Sequence, residues 1–291
     1  MRVIDAFEEP VRTIAVSPDG RLLAAATVRE LGVWDLISGE PQHRRICTGT
    51  GRVTQFAWGP TDAWLACVYQ RGLFELHNPI GGARLHLFPG TFAGGVAVSP
   101  NGREIVATHT GRQGQVKVDQ WELLSLKPKT GFPDWSAFTR LAFSRNGEFI
   151  AGVGPNRFEL RIAGTGGWQG RYDISYVGDG FFSFSRDSQT VVFGWETDLR
   201  LMETRNGNVR AKPVTQPEAR AFLDVAFLGS GHLATVDGTS VMRLWSPDSW
   251  EITRGYDWNS GWLTCVVSST DGLSGVCGTT TGKLVVFDVD E

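Results

Sequence analysis

Residues Val11 to Glu40 read V-R-T-I-A-V-S-P-D-G-R-L-L-A-A-A-T-V-R-E-L-G-V-W-D-L-I-S-G-E. An apolar run, Ile14-Ala15-Val16, leads into Ser17-Pro18-Asp19-Gly20, and a second run, Leu22 to Ala26, leads out of it. Pro18 presets φ for a turn, and Gly20 tolerates the positive φ that closes it. A polar break at Arg29 and Glu30 precedes a third run that ends in Trp34-Asp35, and Ser38-Gly39 is a further turn signal. Runs of strand length separated by turn chemistry predict three strands of a small antiparallel sheet.

The same pattern recurs down the chain. Its copies are Ala15-Val16-Ser17-Pro18-Asp19-Gly20, Ala57-Trp58-Gly59-Pro60-Thr61-Asp62, Ala97-Val98-Ser99-Pro100-Asn101-Gly102, Ala142-Phe143-Ser144-Arg145-Asn146-Gly147, Ser183-Phe184-Ser185-Arg186-Asp187-Ser188, the weaker Ala226-Phe227-Leu228-Gly229-Ser230-Gly231, and Val266-Val267-Ser268-Ser269-Thr270-Asp271-Gly272. Successive copies begin 40 to 45 residues apart. A second marker, a large apolar residue followed by an acid, closes each third strand: Trp34-Asp35, Phe74-Glu75, Trp121-Glu122, Phe158-Glu159, Met202-Glu203 and Phe287-Asp288, with Trp245-Ser246 as the departure in the sixth copy. A period of this length, with four short strands per unit, predicts an all-β chain folded as a seven-bladed β-propeller of four-stranded antiparallel blades.

These motifs resemble those of WD40-repeat proteins, and the resemblance covers essentially the whole chain. Ser17-Pro18-Asp19-Gly20 followed by Trp34-Asp35 is its most specific part. The family's Gly-His dipeptide is absent from its usual place, because Gly231-His232 sits elsewhere in its repeat. The family's His–Ser/Thr–Asp–Trp network is therefore degenerate here, with only Asp237 and Trp245 as surviving members. The resemblance implies that the N-terminal strand completes the last blade. On that basis Val3–Phe7 pairs with Leu284–Val289, and residues 1–291 form one domain.

Composition narrows the function classes. Gly is abundant at 36 residues and Trp at 11, which suits tight turns between packed strands. The net charge of -3 gives no global electrostatic case for binding nucleic acid or an anionic membrane. The N-terminus lacks the apolar core of a signal peptide, and no apolar run approaches the length of a membrane helix. A cytoplasmic monomer is expected. Cys47, Cys67, Cys265 and Cys277 lack metal-site spacing and read as buried thiols. Cys265 and Cys277 are expected to face each other across the first hairpin of the seventh repeat.

Sites for chemistry are sparse. Gly164–Gly170 misses dinucleotide-loop spacing, and Gly278–Lys283 misses the P-loop by one residue and leads into a strand. Both read as hairpin turns. The five histidines, at 43, 77, 86, 109 and 232, lack ligand spacing. His109 opens an inserted loop, and with Asp237 it is the most that a propeller enzyme of hydrolase or lactonase type would have at the channel mouth. No cofactor and no metal are expected, and a non-enzymatic interaction scaffold is the leading expectation.

In that scaffold the loops between second and third strands, and between units, gather on one face around the central channel. They carry Arg12, Arg29, Arg52, Arg71, Arg112, Arg157, Arg220 and Lys283, with Phe92, Trp135, Trp195, Trp258 and Trp262. Arg and Trp dominate binding energy at many interfaces, and guanidinium matches carboxylate and phosphate geometry. The expected partner is a protein or peptide with an acidic or phosphorylated segment. Glu8, Glu9, Glu30, Asp179, Glu196 and Glu218 on the same face dilute its positive field.

Overall fold

The computed structural model describes residues 1–46, 51–70, 72–111, 115–132, 135, 138–173, 180–209 and 221–289. Within them the regular structure is all strand, arranged as seven antiparallel sheets. Blade one runs Thr13–Val16, Leu22–Ala26, Glu30–Asp35 and Pro41–Ile46, in that order from the channel outward. Blades two, three, four and six repeat this four-stranded order. Blade five has Phe181–Phe184, Thr190–Trp195 and Asp198–Glu203, followed by a lone bridge between Met202 and Val209. The first strands of neighbouring blades contact one another, that of blade seven, Leu263–Ser268, lying against that of blade one, while blades four and five join through a core that includes Phe149, Val153, Val191 and Phe193. The fold is a closed seven-bladed propeller.

Ring closure follows the expectation, over a shorter segment. Arg2–Asp5 pairs with the last strand of blade seven, Val3 opposite Val285 and Ile4 opposite Leu284. The pairing stops at Asp5 because the chain then turns inward. Phe7 donates its amide to Gly282 O at 2.9 Å and sets its ring edge-on to Trp34, 5.0 Å between centroids. Ile4, Ala6, Phe7 and Val11 thus share a core with Leu23 and Trp34, so the opening segment is packed between the last blade and the first. The edge that the last blade would otherwise expose is covered.

The recurring turn owes its geometry to one hydroxyl. Ser17 Oγ donates to Asp19 Oδ1 at 2.6 Å and accepts the Leu22 amide at 2.8 Å, while Asp19 Oδ1 also accepts the Arg21 amide. Ser99 with Asn101, Ser144 with Asn146, Ser185 with Asp187, and Ser269 with Asp271 repeat this arrangement. Each serine is buried, and each turn therefore satisfies backbone groups that water does not reach. Gly20 sits at φ 77°, the left-handed region this turn needs. Blades two and six have Gly59 and Leu228 at the serine position and keep only backbone bonds there, the Gly59 amide donating to Trp64 O and the Leu228 amide to His232 O.

The strand register corrects the second sequence marker in two blades. Trp34 lies opposite Leu23, and the matching positions are His77 opposite Leu65 and Arg161 opposite Ile150. Asn78 Oδ1 accepts the Ile80 and Gly81 amides, as Asp35 Oδ1 accepts those of Ile37 and Ser38. Phe74-Glu75 and Phe158-Glu159 therefore lie inside their strands and do not close them. Their acids are buried for a different reason. Glu75 contacts His77 at 2.8 Å and Arg84 at 3.1 Å, and Glu159 lies 3.3 Å from both Arg157 and Arg161. An apolar–acid dipeptide arises in both places, so sequence alone confuses them.

Part of the expected polar network survives. Trp245 Nε1 donates to Thr235 Oγ1 at 2.8 Å, and both side chains are buried. Asp237 turns elsewhere, accepting from Thr239 and Arg243.

The cysteine expectation needs correction. Cys265 lies opposite Gly278, and Cys277 opposite Val266. This one-residue offset sends the two thiols to opposite faces of blade seven, Cys265 into the core shared with blade one and Cys277 into that shared with blade six. They form no disulfide. Burial pushes the Cys265 thiol up to about 12 and raises Cys277 as well.

Candidate functional site

The channel runs between the two faces of the ring and encloses about 710 Å³. On the loop face its mouth is crossed by an ion pair. Arg140, the first residue of blade four, donates to Asp224 Oδ1 of blade six at 2.7 Å, and Asp224 Oδ2 accepts the Val266 amide of blade seven at 3.1 Å. Gln55 of blade two makes a second tie. Its Oε1 accepts the Val96 and Leu141 amides, and its Nε2 donates to Leu141 O at 2.7 Å. Five blades are thus joined by two side-chain clasps at one level of the channel.

The candidate surface residues separate into three groups. Phe92, Trp135 and Trp195 are buried and do not belong to the surface. Phe92 packs edge-on to Phe74, and Trp135 sits between Phe132 and Phe138. Trp195 lies over Phe193 and donates its indole N–H to Gly154 O at 3.1 Å. Phe92 opens blade three, Trp135 precedes blade four and Trp195 ends the second strand of blade five, and all three slot into the packing between elements rather than standing at loop tips. Trp258 is half-buried, stacked between Tyr256 and Phe287. Trp262 is 61% exposed.

Among the basic candidates, Arg29 pairs with Glu9 at 3.2 Å, Arg157 with Asp173 at 2.9 Å, and Lys283 with Asp5 at 3.6 Å. Arg12 and Arg52 are exposed, and among the described residues no carboxylate pairs with either. Arg71, Arg112 and Arg220 lie outside the described residues, as do Asp179 and Glu218. The ring-closing segment explains part of this pattern. Its Asp5 and Glu9 neutralise Lys283 and Arg29, leaving Arg12 on the same segment without a counter-ion.

Arg12 and Trp262 both belong to the loops at the junction of blades seven and one. Val11 donates its amide to Thr279 O at 3.0 Å, and its carbonyl accepts from Thr264 Oγ1 at 2.7 Å. Trp262 O accepts the Thr280 amide at 2.8 Å. One hydrogen-bonded loop cluster therefore carries both the cation and the exposed indole. The sequence marked both residues, but it contained no signal for their shared cluster, which arises from ring closure.

The two residues considered for catalysis do not come together. His109 belongs to a strand, opposite Lys117, and does not open the loop. Both strands of that hairpin run longer than the glycines implied. Its Nδ1 lies 3.1 Å from Asp119 Oδ2, out of line for a hydrogen bond, with the ring against Phe92. Asp237 stands three blades away. The glycine-rich stretches at 164–170 and 278–283 join paired strands as hairpin turns. Among the described residues no three His, Cys, Asp or Glu side chains gather as a metal site, and no helix is long and apolar enough to cross a membrane. Compared with protein-family models and with curated proteins, the chain matches none.

Proposed function

We propose that the chain is a non-enzymatic interaction scaffold of the WD40 type, and that it takes a partner protein or peptide on the loop face around the channel mouth. The WD40 assignment draws support from the seven blades, the closure by the N-terminal strand, the serine-based turns and the buried Trp245–Thr235 bond. The observation that carries the binding surface is that Arg12, which pairs with no carboxylate among the described residues, and the exposed Trp262 belong to one hydrogen-bonded loop cluster. An exposed indole and such a guanidinium on one cluster suit an acidic or phosphorylated segment with a neighbouring apolar side chain.

Affinity capture from the native cell tests this reading, with wild type set against Arg12→Glu and Trp262→Ala. A true partner is retained by wild type and lost from both variants. Capture of the same partners by all three proteins would reject the surface.

A further inference from the structure

The loop-face reading leaves the channel interior and its opposite end without a role, and their chemistry differs from the rest of the molecule. At the opposite end stand the residues that follow the turn serines. Blades one, two and three have Pro18, Pro60 and Pro100 there, but blades four and five have Arg145 and Arg186. The inner strand of blade four, Arg140–Phe143, separates Arg140 from Arg145, which sets the two about 16 Å apart along the channel.

Arg145 and Arg186 both reach the same turn of blade seven. Arg145 Nη1 reaches over the channel to donate to Thr270 O of blade seven. The Arg186 guanidinium comes against Gly272 on the same turn. Neither makes an ion pair with a carboxylate among the described residues. The acid closest in influence is Asp271, whose Oδ1 accepts from Ser269 Oγ and the Leu273 amide; it keeps its charge and offsets part of the field of the two guanidinium groups. Of the described charged residues lining the channel, four are arginines and one is an acid, Asp224, which already holds Arg140. A protein of net charge -3 thus encloses a positive channel, and low-dielectric walls focus such a field.

The walls between the two ends are mixed, with Thr13, Thr54, Gln55 and Ser183 on some blades, but blades four and five present an aromatic stripe. Phe143 of blade four and Phe182 and Phe184 of blade five are only half-buried and line the channel, and Phe227 of blade six lies beside them. A channel filled solely by water gains nothing from this lining. The volume of about 710 Å³ lies within the range of small-molecule sites, which combine apolar walls with a few fixed polar groups.

We propose that the channel is a binding chamber for a small apolar molecule bearing one carboxylate, its head held between Arg145 and Arg186 and its body along Phe143, Phe182 and Phe184. Two guanidinium groups supply a forked donor set for the carboxylate, and the rings supply the area that water leaves on binding. The carboxylate site lies at the turn face, at the opposite end of the channel from the loop-face partner.

Calorimetric titration with 2-naphthoate, beside its neutral counterpart 2-naphthylmethanol, tests the proposal. Wild type binds 2-naphthoate saturably at one site and prefers it to the alcohol. Arg145→Met combined with Arg186→Met weakens the naphthoate by about tenfold or more while leaving the alcohol unchanged. The near-UV circular dichroism of the variant serves as the check on folding. If the double variant does not fold, the preference of wild type for anion over alcohol decides. Absence of saturable naphthoate binding up to about 1 mM, equal affinity for acid and alcohol, or equal affinity in the folded variant would each overturn the proposal. Binding of an acidic peptide with no binding of naphthoate would overturn it too, in favour of a macromolecular ligand.

Discussion

Arg140 of blade four and Asp224 of blade six join across the channel at 2.7 Å, and Asp224 also receives the Val266 amide of blade seven. The aspartate is nearly buried and the arginine about a third exposed, so part of the ion pair is screened by solvent. The buried acceptor role toward Val266 is not screened in this way. Asp224→Ala therefore removes a charge-assisted bond and leaves a buried amide unsatisfied, at a cost of about 2 kcal/mol. Asp224→Asn keeps one carbonyl oxygen and costs less. Thermal unfolding distinguishes the two, with a drop of several degrees for alanine and a smaller one for asparagine. Equal midpoints for both variants and wild type would show that the clasp carries no stability.

The serine turns make a pH prediction with an internal control. The Asp187 and Asp271 carboxyls are held below the usual range, first by the hydroxyls of Ser185 and Ser269 and then by the Gln189 and Leu273 amides. A folded-state pKa below the unfolded one gives stability that is complete above the unfolded value, about 3.9, and is lost as pH falls through the folded value. Blades three and four already use Asn101 and Asn146 in the same role. Asp187→Asn with Asp271→Asn should therefore leave the melting temperature near pH 7 almost unchanged and flatten its fall below about pH 4. An unaltered acid limb would remove these carboxylates from the account.

Ring closure rests on Phe7 more than on the short strand before it. The strand spans only Arg2–Asp5, and Val3 is exposed, whereas Phe7 is buried against Trp34. Phe7→Ala leaves a cavity between the first and last blades and should cost about 3 kcal/mol. Deleting residues 1–9 removes Ile4, Ala6 and the strand pairing as well, and should lower the melting temperature further. A deletion with unchanged melting would contradict closure through this segment.

The blades were legible in the sequence because turn chemistry and apolar alternation are local. Ser17-Pro18-Asp19-Gly20 and its relatives specify their own hydrogen bonds within a few residues, and so the period could be read directly. The ends of the third strands were less legible. Glu75 and Glu159 mimic a terminal acid, and only pairing partners such as Leu65 and Ile150 reveal where each strand stops. The surface was hardest to read. Phe92, Trp135 and Trp195 occupy loop-proximal positions, yet neighbouring blades bury them, a contact made by residues distant in sequence. The pairing of Arg29 with Glu9, and the resulting isolation of Arg12, likewise exist only once the chain ends meet.

The most direct measurement is hydrogen–deuterium exchange of the propeller alone and in complex with a captured partner. The account predicts protection in the loops around Arg12, Arg52 and Trp262, with the serine turns at Ser144, Ser185 and Ser269 unchanged. Protection confined to those turns, or to the outer strands, would contradict a partner seated on the loop face.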